Sequence, residues 1–301
     1  MPRVLCVSVD VDSPALYLRL YGVHPDEALQ QNLATEAYAL GVQRFVDLFA
    51  EFGVKGTFFL VGQDLASKGA AGVAKALVAA GHEAANHSQT HPYDLIHRGE
   101  AALEEELRLC HQRIGAVTGK APVGFRAPGY NTSPALLQRL VDLGYVYDAS
   151  PLPSWPYLAA KYAVMAGLRL RGKRSSSIVG NPLMGFSPRQ PSVTSQNLVK
   201  IPCTVTPWLR LPVIGTTLVS GPVALRRHLL ASAASLPFVS LEFHAMDLMS
   251  VAEDLLPGEL GLQKDLTIPW QQKRDSLRRA LGKLLEDRDA LTLEQYTRGR
   301  S

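Results

Sequence analysis

His87 and His91 stand four residues apart in the run Gly81-His82-Glu83-Ala84-Ala85-Asn86-His87-Ser88-Gln89-Thr90-His91-Pro92. In a helix or a tight turn, positions i and i+4 share a face. Two imidazoles held that way can grip one divalent metal, and a carboxylate completes a facial set with open positions for water and substrate. The same spacing also arises by chance among exposed or core histidines. Further polar groups stand at or just past strand-like runs: Asp10 and Asp12 after the apolar run 4–9, Arg126 within 124–130, and His244 at the end of 237–244. Carboxylates at the C-terminal end of a first strand are where α/β folds place chemistry. Asp and Ser there also cap helices and close Asx-turns. Taken singly, Arg126 is equally a structural ion-pair partner and His244 a satisfied histidine at a strand end.

Positioning these groups falls to alternating strand and helix patterns. The β-branched run 4–9 reads as a buried parallel strand. Helical spacing of apolar residues follows over 34–52, closed by Gly53, and 57–61 reads as a second strand. Helices are expected at about 71–80, 100–118 and 134–143, short strands at 124–130 and 146–148, strand-like segments again at 199–205, a last clear strand at 237–244 and a terminal helix at 269–287. This alternation predicts an α/β fold with a parallel sheet or barrel. In a barrel every strand end converges on one mouth. Residues 151–193, rich in Pro, Gly, Ser and basic side chains, break the rhythm and read as an insertion on one face. The chain therefore reads as one domain over 1–301, with an insertion at about 151–195.

Composition narrows the function classes. Hydrophobic residues make up 47% of the 301 and charged residues 19%, enough for a sizeable core and against disorder. A net charge of +4, without a basic block interleaved with aromatics, argues for no nucleic-acid partner. Cys6, Cys110 and Cys203 are odd in number and widely spaced, which suits a reducing compartment better than a disulfide framework. The start shows no signal-peptide pattern, and no stretch is apolar and long enough to span a bilayer. A cytoplasmic location is expected.

Taken together, the motifs resemble the polysaccharide deacetylase family, also known as the NodB-homology or carbohydrate esterase family 4 deacetylases. Asn86-His87-Ser88-Gln89-Thr90-His91-Pro92 is similar to its metal-binding motif, Gly56-Thr57-Phe58-Phe59 to its second core strand, Phe125-Arg126-Ala127-Pro128-Gly129-Tyr130 to its arginine motif, and Leu241-Glu242-Phe243-His244 to its final histidine motif. The resemblance covers roughly 4–150 and 195–250, in the usual order. It implies a distorted (β/α) barrel of the NodB type. Three features depart from the usual pattern. Val11 separates two aspartates that are more often adjacent, an Asp-x-Asp version found in a branch with intracellular deacetylases and deformylases. Gly129-Tyr130 stands where Tyr-Gly is usual, and 151–193 has no evident counterpart.

The resemblance implies a role for each residue. A divalent metal, zinc by its ligand types, is held by Asp12, His87 and His91. Asp10 acts as general base with Arg126 orienting it, His244 protonates the departing amine, and Asp148 steers His244. A backbone N–H near Tyr130 helps stabilise the oxyanion. Tyr130 and Trp208 are the expected substrate contacts. His82, His97, His111 and His228 read as surface or helix-end histidines, and Glu242 and Asp247 as solvated. The expected activity is hydrolysis of an acetyl or formyl group from an aminosugar, free or lipid-linked. The alternatives are a glycan-binding pseudoenzyme and an amidohydrolase acting on a non-sugar amide. Within the insertion, Trp155, Tyr157, Leu158, Tyr162, Val164, Met165 and Leu168 stand beside Lys161, Arg169, Arg171, Lys173 and Arg174, with a second apolar stretch at 208–219. These suit either a cap on the barrel, packed on its terminal helix, or peripheral contact with an anionic membrane surface on the inner face.

Overall fold

A computed structural model describes residues 3–170, 178 and 180–299, with the Leu168 side chain outside that description. Its strands are β1 (Val4–Val11), β2 (Thr57–Leu60), β3 (Glu83–Asn86), β4 (Gly124–Phe125), β5 (Tyr147–Asp148), β6 (Ser192–Val193), β7 (Val199–Lys200), β8 (Phe238–His244) and β9 (Asp289–Leu291). Its helices are α1 (Pro14–Leu20), α2 (Glu27–Glu36), α3 (Gln43–Ala50), α4 (Lys68–Ala79), α5 (Glu100–Thr118), α6 (Pro134–Asp142), α7 (Trp155–Leu170), α8 (Gly215–Ser220), α9 (Val223–Ala234), α10 (Trp270–Leu285) and α11 (Leu293–Arg298). The sheet runs β6-β7-β5-β4-β3-β2-β1-β8, parallel except for the β6–β7 pair, and β9 joins β1.

β1 is buried along nearly its whole length, as a β-branched strand covered on both faces must be. One of its flanks carries β8, with Asp10 level with His244. The other flank is shared, β9 pairing with Val4–Cys6 and β2 with Ser8–Val11. The sheet curls towards closure through an irregular piece. Ile201 N–H donates to Asp148 O at 2.9 Å and Cys203 N–H to Pro151 O at 2.9 Å, after which Thr204 N–H donates to Ser240 O at 3.0 Å. One short segment thus bonds to the β5 side and then to β8, which makes a distorted (β/α) barrel.

Alternation along the strands decides what the barrel encloses. Leu5, Val7 and Val9 join Phe45, Phe49, Phe58, Phe243 and the apolar stripe of α10 in the layer under the helices. Cys6 falls in the inner cluster with Phe59, Ala85, Tyr147 and Ile201. With a side-chain period of two, Ser8 and Asp10 follow Cys6 inward, and Glu242 and His244 share a face of β8. At the other end of the barrel Glu83 is buried, accepting from Thr57 Oγ1 (2.7 Å), Tyr147 OH (2.7 Å) and the first-turn N–H of Glu294 (2.9 Å). The start of α11 therefore seals the face opposite the strand C-termini.

Several expectations change in detail. The helix expected over 34–52 begins earlier, at α2, where the Asp26 side chain caps Leu29 N–H, and it passes through a π-helical turn, Ala37–Val42, into α3. The strand at 237–244 is followed by one more, β9, only three residues long and carrying an exposed aspartate. The inserted segment holds a sixteen-residue helix, α7. Among the described residues no helix is long and apolar enough to cross a membrane.

Candidate active site

Because the barrel strands are parallel, their C-terminal ends share one rim, and the polar motifs meet there. His87 follows β3 directly, and the loop after it turns sharply rather than continuing as a helix. Ser88 and His91 both take the left-handed conformation, with φ of 68° and 55°. The Asn86 side chain fixes that turn, accepting from Ser88 N–H at 2.7 Å while donating to Leu107 O at 2.9 Å and Tyr145 OH at 2.7 Å. Left-handed non-glycine residues cost of order 1–3 kcal/mol and persist where the surroundings over-determine them.

The turn brings His87 Nε2 to 3.4 Å and His91 Nε2 to 3.2 Å from Asp12 Oδ1, and all three residues are buried. His87 Nδ1 lies 2.7 Å from Arg126 O. Donation to that carbonyl fixes the tautomer that leaves Nε2 free as a ligand. Asp12 Oδ1 is buried and has no hydrogen-bond partner. Although burial opposes its charge, His91 and His87 hold the Asp12 carboxyl well below the usual range. Ligand atoms around a tetrahedral zinc stand about 3.3 Å apart, which matches the two distances to the orphaned carboxylate oxygen. These residues fit a divalent metal, with His91 Nδ1 left unpartnered and the Tyr93 ring packed edge-on at 4.9 Å.

Arg126 is fully buried beside this cluster. Its Nη1 donates to Asp10 Oδ1 at 2.5 Å, its Nη2 to Ser8 Oγ at 3.0 Å and its Nε to Ala149 O at 3.0 Å, over the face of Phe59. Three fixed bonds leave the guanidinium no freedom. The other Asp10 oxygen, Oδ2, lies 3.7 Å from His87 Nε2 and borders the cavity.

On β8, His244 Nε2 is 4.0 Å from Asp12 Oδ2, and His244 Nδ1 is 3.3 Å from Glu242 Oε1. Tyr130 OH donates to the same Glu242 oxygen at 2.8 Å. Burial disfavours the His244 cation, yet the Glu242 carboxylate, with Asp12 and Asp10 behind it, pushes the imidazole up to about 9. The pairing expected between Asp148 and His244 is not what the structure shows. Asp148 is buried and accepts from Ser150 N–H at 2.9 Å and from Ser150 Oγ, so Glu242 takes that place. Glu242 and Asp247, expected to be solvated, are 0% and 1% exposed, and Asp247 accepts from His244 N–H at 2.8 Å. The signal for Glu242 was present, two residues before His244 in a strand and hence on its face.

Tyr130 also corrects an expectation. Its N–H donates to Ala127 O at 3.0 Å and is not free for an oxyanion, while its ring borders the cavity. Trp208 is 93% exposed and does not border the cavity. His82 is buried, its Nδ1 accepting from Gly56 N–H at 3.1 Å, whereas His97 and His228 are exposed. The cavity above the rim measures about 440 Å³, and α7 forms part of its wall through Tyr157, Lys161 and Met165. These residues were not singled out for the site, because their spacing carried no motif.

Replacing Glu242 by Gln is expected to lower kcat with zinc content intact, and to move the alkaline limb of the kcat profile to lower pH. The imidazole loses the charge that raises it. An unmoved limb would reduce Glu242 to packing.

Comparison with known proteins finds likenesses in sequence and in fold. Residues 36–147 match the polysaccharide deacetylase family. A peptidoglycan deacetylase of Helicobacter pylori is 29% identical over 149 residues, 49% of each chain. A chitin deacetylase of a Pestalotiopsis species is 32% identical over 101 residues, 33% of this chain and 34% of the relative. The alignments thus reach half or less of the length of these relatives. Among solved structures, a polysaccharide deacetylase from Mycobacterium smegmatis superposes with a TM-score of 0.62 at 18% identity, covering 98% of this chain and 89% of the other. An allantoinase gives 0.61 at 15% identity, covering 98% and 89%. A carbohydrate esterase family 4 pseudoenzyme from Bacillus anthracis gives 0.52 at 12% identity, covering 98% and 66%. The likenesses at low identity show a shared fold. The family match over residues 36–147 and the ordered motifs make that part of the chain similar to polysaccharide deacetylases.

Proposed function

We propose that this protein is a metal-dependent hydrolase that removes an N-acyl group, acetyl or formyl, from an aminosugar. The observation that carries this reading is the meeting of Asp12, His87 and His91 with a second group, Asp10, Glu242 and His244, on one rim. Asp12, His87 and His91 would hold the metal, zinc by its oxygen and nitrogen donors. When bound, such an ion polarises the acyl carbonyl, makes water a better nucleophile and offsets the oxyanion. Asp10, anchored by Arg126, takes the proton of the attacking water. His244, oriented by Glu242, gives a proton to the nitrogen as the C–N bond breaks. Tyr93, Tyr130 and Tyr157 shield the reacting centre from bulk water.

The intact acid, base and ligand set favours an enzyme over a glycan-binding pseudoenzyme. The aminosugar is preferred to a non-sugar amide on the strength of the peptidoglycan and chitin deacetylase likenesses. We take 1–301 as one catalytic domain with the insertion at 151–195 folded over its mouth. The free, buried thiols of Cys6, Cys110 and Cys203 support a cytoplasmic location. Assay of a panel of N-acetylated and N-formylated sugars, free and lipid-linked, tests the reading; no amine release from any of them would refute it.

A lipid-linked substrate with peripheral membrane contact has its own support in apolar side chains exposed around the insertion, among them Trp155, Tyr162, Leu183, Phe186, Trp208 and Leu209. Of the basic residues expected beside them, Lys161 turns to the cavity, Arg169 is exposed, and Arg171, Lys173 and Arg174 lie outside the described residues, as does the Leu168 side chain. On this reading the protein sediments with anionic liposomes at low salt and releases at high salt. Indifference to lipid charge would remove it.

A further inference from the structure

Lys161 is the lysine on the cavity wall, carried there by α7, and it is half-buried. Among the described residues no hydrogen bond or ion pair engages its ammonium. Burial pulls the amine down to about 8, so it remains largely charged at neutral pH. A charge that has lost water and gained no counter-charge is unfavourable unless something else supplies one. The carboxylates bordering the same cavity are already engaged, Asp10 with Arg126 and Asp12 with His87 and His91.

The site of Gly129 adds a second observation. Its φ of 65° suits glycine, and a Cβ built there would stand 3.5 Å from Lys161 Nζ, 3.5 Å from Asn131 Nδ2 and 3.0 Å from Tyr93 Cδ1. Two donors from different elements therefore border the gap over the bare Gly129 backbone, where even a Cβ would crowd the Tyr93 ring. Asn131 Nδ2 is buried and has no acceptor. A hydrogen-bond donor without an acceptor and an ammonium without a counter-ion, both beside Gly129 on the cavity wall, form a complementary lining for negative charge.

We infer that the gap over Gly129, bordered by Lys161 Nζ and Asn131 Nδ2, is a subsite for an anionic group, a carboxylate or a phosphate ester, on the sugar that loses its acyl group. This rests on the function proposed above. It makes Lys161 a specificity residue and gives the inserted α7 a task, to bring one positive charge over an acidic rim. A neutral hydroxyl at that position would gain less, because a hydrogen bond between charged partners is worth roughly twice a neutral one.

The test compares wild type with Lys161→Met and Lys161→Arg on three zinc-supplemented substrates: di-N-acetylchitobiose, an N-acetylmuramic acid disaccharide, and a phosphate ester of N-acetylglucosamine. Wild type should prefer one or both anionic sugars, the carboxylate or the phosphate arm telling which group is recognised. In Lys161→Met the anionic-over-neutral ratio of kcat/KM should fall by about ten- to a hundredfold, mainly through KM, the range expected for a lost charged hydrogen bond. Lys161→Arg, which keeps the charge, should retain the preference. A ratio unchanged in Lys161→Met, or no preference in wild type, overturns the subsite. A parallel calorimetric titration with a glucose phosphate ester and with glucose separates this from the reaction itself. If no sugar is hydrolysed, the proposed function fails; the subsite stands only if the wild-type chain binds the phosphate ester over glucose and Lys161→Met does not.

Discussion

Asp10→Asn is expected to retain zinc and lose turnover, by about a hundred- to ten-thousandfold, the contribution of one positioned general base. The division follows from geometry. Asp12 Oδ1 faces both His87 Nε2 and His91 Nε2, whereas Asp10 gives one oxygen to Arg126 and turns the other to the cavity. The same change strands a fully buried guanidinium, since Asp10 is its carboxylate partner. Breaking a buried pair from one side costs about 3–5 kcal/mol, so the variant should also melt earlier. Kinetics belong on the folded fraction, confirmed by circular dichroism. Zinc lost from Asp10→Asn as fully as from Asp12→Asn would contradict the division of labour.

His91→Ala is the complementary expectation, with loss of both metal and activity but survival of the fold. The imidazole packs between His87 and Tyr93 at the mouth, outside the main core beneath the helices. Its removal leaves two ligands, too few for a stable zinc site. Zinc content after dialysis and a thermal melt check it together. One tightly held equivalent of zinc in this variant would show that His91 is not a ligand.

How much of this was legible in the sequence differs from residue to residue. The rim groups stood out because each follows an apolar run, and parallel strands must deliver such residues to one end. Arg126 and Asp10, far apart in sequence, meet for that reason. Glu242 was misread because a carboxylate in a strand suggests solvent; period-two alternation would have placed it on the face of His244, where Tyr130 and the imidazole satisfy one of its oxygens. Asp148 was misplaced by motif analogy, and its bonds to Ser150 close a local turn. The role of α7 was hidden because its apolar residues fall on all sides, so no stripe marks an inward face. Lys161 read as one of a basic cluster, and only the fold separates it from Arg169. β9 is too short for any pattern, and its place is set by the flank that β2 leaves open beside β1.

The most direct measurement of the central claim is amine release from N-acetylated and N-formylated sugars by chelator-stripped protein, titrated with zinc. The account predicts negligible release without metal and a linear rise that levels off at one equivalent per chain. Full activity in the stripped protein, or no release at any zinc concentration, would contradict it.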